Sequence, residues 1–113
     1  MDIVKFKESI SVLIKETGYF KKHEILDETS NTIKVKLLIN SSSYVQIYIN
    51  FEKNLKNYVL IINGQRIFGR DCDNGKWHMH PWQNPAKHMF THEISLKDFL
   101  FEVYESLKKQ KLI

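Results

Sequence analysis

Two stretches of alternating apolar and polar residues constrain the fold of this chain more than any other feature. The first covers residues 33–39 and the second covers residues 45–51. Successive side chains in a strand point to opposite faces of a sheet, so this alternation predicts two strands with one buried face each. The opposite face would carry polar and aromatic residues, namely Lys34, Lys36, Tyr44, Gln46 and Tyr48.

A hairpin signal follows these strands. The apolar run at residues 58–62 leads directly into Asn63-Gly64, and Asn-Gly suits the positive φ that both central residues of a tight hairpin turn require. We therefore predict a return strand over residues 65–70. A less regular strand is expected over residues 20–26, closed by a polar turn at residues 27–31. Short connections throughout indicate an antiparallel meander of four to five strands.

Apolar residues at helical spacing lie at both ends of the chain. Asp2 is the predicted N-cap of the first helix and Gly18 its end, whereas Ser95 is the predicted N-cap of the second, with Asp98 adding negative charge near its amino end. Both helices need an apolar surface, which one sheet face supplies. We expect a single α+β domain over residues 1–113: an N-terminal helix, the sheet, an irregular histidine-rich segment, and a C-terminal helix packed on the sheet.

The composition is typical of a soluble globular protein, with 42% hydrophobic and 27% charged residues. No apolar run has the length of a membrane span, the first residues do not resemble a signal peptide, and Cys72 is the only cysteine. We therefore expect a cytoplasmic protein that does not bind membranes. The net charge of +4 is compatible with nucleic-acid binding and equally with a solvated basic surface.

Histidines are concentrated in one short stretch that also holds both tryptophans and both prolines. Titratable and aromatic side chains gathered on an irregular segment indicate where a site is to be expected. His78 and His80 are two residues apart, so their rings share a side if the chain is extended there. His88 and His92 are four apart, and they share a side if Pro85 begins a turn of helix.

Imidazoles and carboxylates at these spacings suit a divalent metal ion, which would be the only cofactor that the sequence indicates. The candidate ligands are His78, His80, His88, His92, Asp71 and Asp73. Zinc sites usually contain cysteine pairs or a helical His-Glu-x-x-His, and the chain has neither. Hydrogen-bonded structural histidines are therefore the alternative to a metal site.

Acid–base catalysis without a metal is a further interpretation. The unperturbed pKa of histidine lies closest to neutrality, so His78 and His80 could act as base and acid in cleaving an RNA phosphodiester. Basic residues would bind phosphate, and tryptophans would stack on unpaired bases. The candidates for substrate binding are Arg66, Arg70, Lys76, Trp77 and Trp82. A tryptophan could instead anchor the loop to the core, and Arg70 could form a salt bridge with Asp71 or Asp73.

The residues between Arg70 and the histidines are predicted to shape the loop. Asp73-Asn74-Gly75 is typical of a turn, because Gly75 can adopt a positive φ. Cys72 is a poor candidate nucleophile, since the carboxylates of Asp71 and Asp73 disfavour the thiolate.

One motif combines Arg70 with Asp73-Asn74, and a His/Pro-rich stretch follows it, containing His78, His80, Pro81 and His88. This order, preceded by a hairpin and closed by a helix, resembles the TumE-type toxin family of prokaryotic toxin–antitoxin operons over the C-terminal half of the chain. The resemblance implies a small toxin that acts on RNA and is encoded beside a helix-turn-helix antitoxin.

The leading hypothesis is a small toxin-like protein that binds RNA through the histidine segment. Cleavage of that RNA, by histidine acid–base or metal-dependent chemistry, is the activity that the segment could add to binding. His78 and His80 would transfer protons, and Asp73, Asn74 and Gly75 would set the loop geometry. The alternative is a non-catalytic binding or assembly module with structural or metal-holding histidines, in which Tyr44 and Tyr48 would form a homodimer surface.

Overall fold

Seven antiparallel strands form one meander sheet with a helix at each end of the chain, in a computed structural model that describes residues 2–82, 84 and 86–113. The helices are α1 (Ile3–Thr17) and α2 (Leu96–Lys109). The strands are β1 (Lys22–Glu28), β2 (Thr32–Leu38), β3 (Ser43–Asn50), β4 (Leu55–Ile62), β5 (Gln65–Asp73), β6 (Lys76–His80) and β7 (Met89–Phe90). Each strand pairs with its neighbours in chain order. The α+β class and the meander are therefore as predicted.

The predicted strand count of four to five is wrong because much of the histidine segment belongs to the sheet. β5 does not end at Arg70 but continues to Asp73, and β6 returns along it through both His78 and His80. Asn74 and Gly75 join the two strands with φ values of 53° and 83°, which confirms the predicted turn. Asn63 and Gly64, with φ values of 50° and 76°, form the predicted hairpin between β4 and β5 in the same way.

The caps of both helices agree with the sequence. The Asp2 carboxylate accepts a hydrogen bond from the Lys5 N–H at 2.9 Å, and the Ser95 hydroxyl accepts one from the Asp98 N–H at 3.1 Å. These bonds satisfy amide donors that have no partner within the helix. Within the described residues, neither helix combines the length and apolar character needed to cross a membrane.

Both helices contribute to one core with one face of the sheet, which we call the helix face; the opposite side is the outer face. Phe99 of α2 is fully buried, with its ring centroid 5.5 Å from that of Tyr58 and 5.7 Å from that of Phe68. Burial, with smaller contributions from Cys72 and Glu93, raises the pKa of Tyr58 to about 12. The helix face is thus an apolar layer in which a charged phenolate is unfavourable.

Strand register shows which residues lie on each face. Val35 pairs with Ile47 and both are buried, whereas their neighbours Lys36 and Gln46 pair on the outer face and are partly exposed. The predicted alternation therefore holds in β2 and β3. β1 differs, because all seven of its residues are exposed.

Candidate active site on the outer face

The outer face of the β5–β6 hairpin brings two of the predicted site histidines beside an aspartate. Asp71 of β5 is directly opposite His78 of β6, so both side chains project from the same face. His80 lies two residues farther along β6 and therefore on that face as well. The prediction that an extended chain would align His78 with His80 is confirmed.

The Asp71 carboxylate contacts both imidazoles. Its Oδ2 lies 2.8 Å from His80 Nε2, within hydrogen-bond distance, and its Oδ1 lies 3.5 Å from His78 Nδ1. All three side chains are partly buried, with 18–25% of their surface exposed. A carboxylate in this position restricts the rotation of both rings and favours an N–H directed toward it.

His88 reaches the same place from the segment that precedes β7. Its ring centroid is 4.3 Å from that of His80 and 6.0 Å from that of His78, and His88 itself is exposed. One potential ligand atom each from Asp71, His80 and His88 lies within 4.8 Å of the other two. We call Asp71, His78, His80 and His88 the histidine cluster.

The cluster belongs to a wider polar and aromatic surface. Consecutive strand pairings place one residue from each of six strands in a single transverse row on the outer face: Lys34, Tyr48, Asn57, Asp71, His78 and Phe90. Arg66 donates a hydrogen bond to the Asn57 amide oxygen at 3.4 Å. The Lys36 ammonium lies 4.4 Å from the centre of the Tyr44 ring. Cations and aromatic rings thus share a face with the imidazoles.

Arg70 lies on the helix face, opposite the cluster. Its guanidinium forms a two-point ion pair with the Glu102 carboxylate, at 3.0 and 2.5 Å, and donates a third hydrogen bond to the Thr91 hydroxyl at 2.6 Å. Adjacent residues of a strand face opposite ways, so Arg70 cannot share a side with Asp71. The structure does not bring this predicted phosphate ligand to the histidines, and its salt-bridge partner is Glu102 rather than Asp71 or Asp73.

Neither tryptophan offers an open surface for a base. Trp77 is 7% exposed, and its ring centroid is 6.1 Å from that of Tyr58 on the helix face. Trp82 is partly buried and packs against the core. The alternative function, anchoring the segment to the core, fits both. Cys72 is also buried, opposite Trp77 in the β5–β6 register, so its thiol lies on the helix face and not among the histidines of the outer face.

The remaining predicted site residues are not part of the cluster. His92 lines a cleft with Cys72 and Trp77. His88 and His92 are not on a helix, because β7 lies between them; the predicted helical turn at Pro85 falls outside the described residues. Asp73 and Lys76 pair beside the Asn74-Gly75 turn, on the outer face and one row from Asp71 and His78.

The six candidate metal ligands are therefore reduced to three whose ligand atoms lie close together: Asp71, His80 and His88. The sequence interpretation had not singled out Asp71 as the residue that joins the histidines. It also missed Glu102 and Thr91, which hold Arg70, and Phe90, whose ring centroid is 5.0 Å from that of His78. The two-residue periodicity of a strand, extended through residues 70–73, would have separated Arg70 from the cluster.

Comparison with known proteins gives no relative for this chain. No family model matches it, and no curated protein or solved structure is significantly similar to it. The geometry of the outer face is therefore the guide to function.

Proposed function

We propose that this protein is a small toxin-like ribonuclease that binds single-stranded RNA on its outer face and cleaves it at the histidine cluster. The observation that carries the proposal is the position of three imidazoles and a carboxylate on the same face as a set of basic and aromatic side chains. The cluster supplies groups for proton transfer, and the rest of the face supplies contacts for a polyanion.

The binding surface would lie around Tyr48. Lys34, Arg66, Gln46 and Asn57 surround a shallow depression beside this ring. Lysine and arginine contact phosphates, whereas a tyrosine on an open sheet face can stack on an unpaired base. Proteins that bind single strands combine these two kinds of contact. A strand bound along the row of residues that contains Tyr48 would extend over Asp71 to His78.

The chemistry assigned to the cluster is attack of an RNA 2′-hydroxyl on the adjacent phosphodiester. One imidazole removes the 2′-OH proton as the oxygen attacks phosphorus, and a second donates a proton to the 5′-oxygen as the P–O5′ bond breaks. The products are a 2′,3′-cyclic phosphate and a 5′-hydroxyl, and no water is consumed. His78 and His80 are the residues proposed for these transfers, with Asp71 positioning both rings.

The biological setting is proposed from the resemblance to TumE-type toxins. An RNA-cleaving protein would slow the growth of a host cell unless a partner neutralised it. A helix-turn-helix antitoxin encoded in the adjacent reading frame is the expected partner. The discovery of such a reading frame would support this setting independently of any assay on the purified protein.

A cleavage assay tests the activity. Purified protein is incubated with a single-stranded RNA oligomer and with DNA of the same sequence, and we expect cyclic phosphate ends from RNA only, since DNA lacks the 2′-hydroxyl. The double variant His78→Ala/His80→Ala should lose about 100-fold or more in rate. His23→Ala, on exposed β1, is the matched control and should retain the wild-type rate.

Expression in a bacterial host provides the second test. The wild-type chain should slow growth, and the double histidine variant, at equal protein level, should relieve that effect. Full toxicity of the double variant would reject the assignment of His78 and His80. If the wild-type chain shows neither cleavage nor a growth effect, the non-catalytic module is favoured instead.

A further inference from the structure

We infer that Asp71, His80 and His88 bind one divalent transition-metal ion on the outer face. The inference deepens the proposed function, because it assigns an ion to the site at which RNA would be cleaved. It rests on the positions of the three side chains and can be tested without RNA.

The distances fit a common ion. Metal–nitrogen and metal–oxygen bonds at such sites are about 2.0–2.2 Å, so two ligand atoms at a tetrahedral angle on one ion are about 3.3–3.6 Å apart. The three candidate ligand atoms are all within 4.8 Å of one another, which leaves at most about 1.5 Å to be closed. His88 is exposed and can supply that movement, whereas Asp71 and His80 are 2.8 Å apart through a hydrogen bond that the ion would replace.

The ligand chemistry indicates the class of ion. Two imidazoles and one carboxylate suit zinc and its neighbours among the divalent first-row metals, whereas magnesium and calcium prefer oxygen ligands alone. Thiolate does not contribute, because Cys72 is buried on the helix face. Three protein ligands leave at least one coordination position open for water or an anion, as at catalytic zinc sites. A phosphate oxygen of bound RNA is the anion that this face would present.

The ion would divide the cluster into two kinds of residue. His80 and His88 would be ligands, while His78 would lie outside the ligand set and contact the other oxygen of Asp71 at 3.5 Å. A histidine in that position orients the carboxylate and remains able to exchange protons with a substrate. With the ion bound, His80 would hold the metal instead of transferring a proton. His78 would remain one proton-transfer residue, and water at the open coordination position would take the other transfer.

Cobalt binding tests the inference directly. Protein without a polyhistidine tag is treated with chelator, dialysed and titrated with Co²⁺, while its visible d–d absorption is recorded; isothermal titration with Zn²⁺ gives the affinity. We expect one ion per chain and an absorption intensity typical of low-coordinate cobalt. Absence of stoichiometric binding of either ion would overturn the inference.

Four variants locate the ion. Asp71→Asn, His80→Ala and His88→Ala should each weaken Zn²⁺ binding by about 100-fold or more, because each removes a ligand. His78→Ala removes only a contact to a ligand and should weaken binding less, by about 10-fold. His92→Ala is the matched control from the same segment and should bind as the wild type does. Far-ultraviolet circular dichroism verifies that each variant is folded. Equal losses in His92→Ala and His88→Ala would place any bound ion elsewhere and overturn the assignment.

The two proposals can fail separately. Stoichiometric metal binding without RNA cleavage would support the ion site and reject the ribonuclease function. Chelator-resistant cleavage by a protein that binds no ion would support the ribonuclease and overturn the ion site.

Discussion

The two faces of the β5–β6 hairpin place polar side chains in different environments. On the helix face, Arg70 is enclosed by Glu102 and Thr91, and its side chain is 13% exposed. On the outer face, Asp71 lies among three imidazoles, one of which is exposed. Charge that is paired and covered holds α2 to the sheet, whereas titratable groups that face solvent remain available to a ligand. Substitutions on the helix face should therefore lower the free energy of unfolding more than substitutions on the outer face do.

The largest loss of stability is expected within the helix face. Phe99→Ala removes a fully buried ring that packs between Tyr58 and Phe68, and it should lower the free energy of unfolding by about 3–5 kcal/mol. Phe101→Ala, at a 41% exposed position of the same helix, should cost about 0.5 kcal/mol or less. Urea denaturation measures both. Equal costs would show that the helix does not pack as described.

The two arginines of β5 provide a sharper comparison. Arg70→Ala breaks the ion pair with Glu102, whose side chain is 34% exposed, and it should cost about 2 kcal/mol, between the values for exposed and buried pairs. Arg66→Ala should change stability by about 0.5 kcal/mol or less. For RNA binding the order of the two variants should reverse, and Arg66→Ala should have the larger effect. It should reduce the slope of log affinity against log salt concentration by about 0.7. Unfolding curves and a salt series of binding measurements test this reversal.

High pH should destabilise the helix face through Tyr58. Its pKa is raised by burial from 10.0 to about 12, so the neutral phenol stabilises the folded state fully below pH 10, and that contribution is lost as the pH rises toward 12. The contribution of Tyr58 to the loss should be about 1.4 kcal/mol at pH 11. Burial raises the pKa of Tyr19 as well, so Tyr58→Phe should reduce the total alkaline loss by that amount and leave the part due to Tyr19. Tyr48→Phe on the outer face controls for removal of a tyrosine hydroxyl. Urea denaturation at pH 8 and pH 11 provides the measurement, and an unchanged alkaline loss in Tyr58→Phe would contradict the prediction.

A small effect on stability is expected in the cluster itself. His80→Ala removes one hydrogen bond to Asp71 at a partly exposed position, and it should cost about 1 kcal/mol or less. The same substitution should weaken Zn²⁺ binding by about 100-fold or more, so function and stability separate on the outer face. A loss as large as that of Phe99→Ala would mean that the histidines are structural.

Local patterns in the sequence were sufficient to predict much of the fold. The alternation in β2 and β3, the Asn63-Gly64 turn and the caps Asp2 and Ser95 all depend on neighbouring residues, and each was correctly predicted. The extension of the sheet beyond Arg70 was missed because charged residues stand on both faces of β5 there. Arg70 is accommodated by Glu102, 32 residues farther along the chain, and no local pattern reveals such a partner.

The site was predicted only in part, because some of its contacts also depend on residues that are distant in sequence. The spacing of His78 and His80 was interpretable because strand geometry determines where both rings point. His88 approaches them through a connection without periodicity, whereas His92, four residues farther along the chain, is not part of the cluster. Only the pairing of β6 with β7 distinguishes those two histidines.

That pairing has a mechanical consequence. His88 comes immediately before β7, which has only two residues and forms the last strand of the sheet. Binding of an ion by His88 would therefore fix the edge of the sheet at Met89 and Phe90. Ion binding and ordering of this edge would occur together. Slower deuterium uptake along β6 and β7 would then report ion binding even when the ion has no spectroscopic signal.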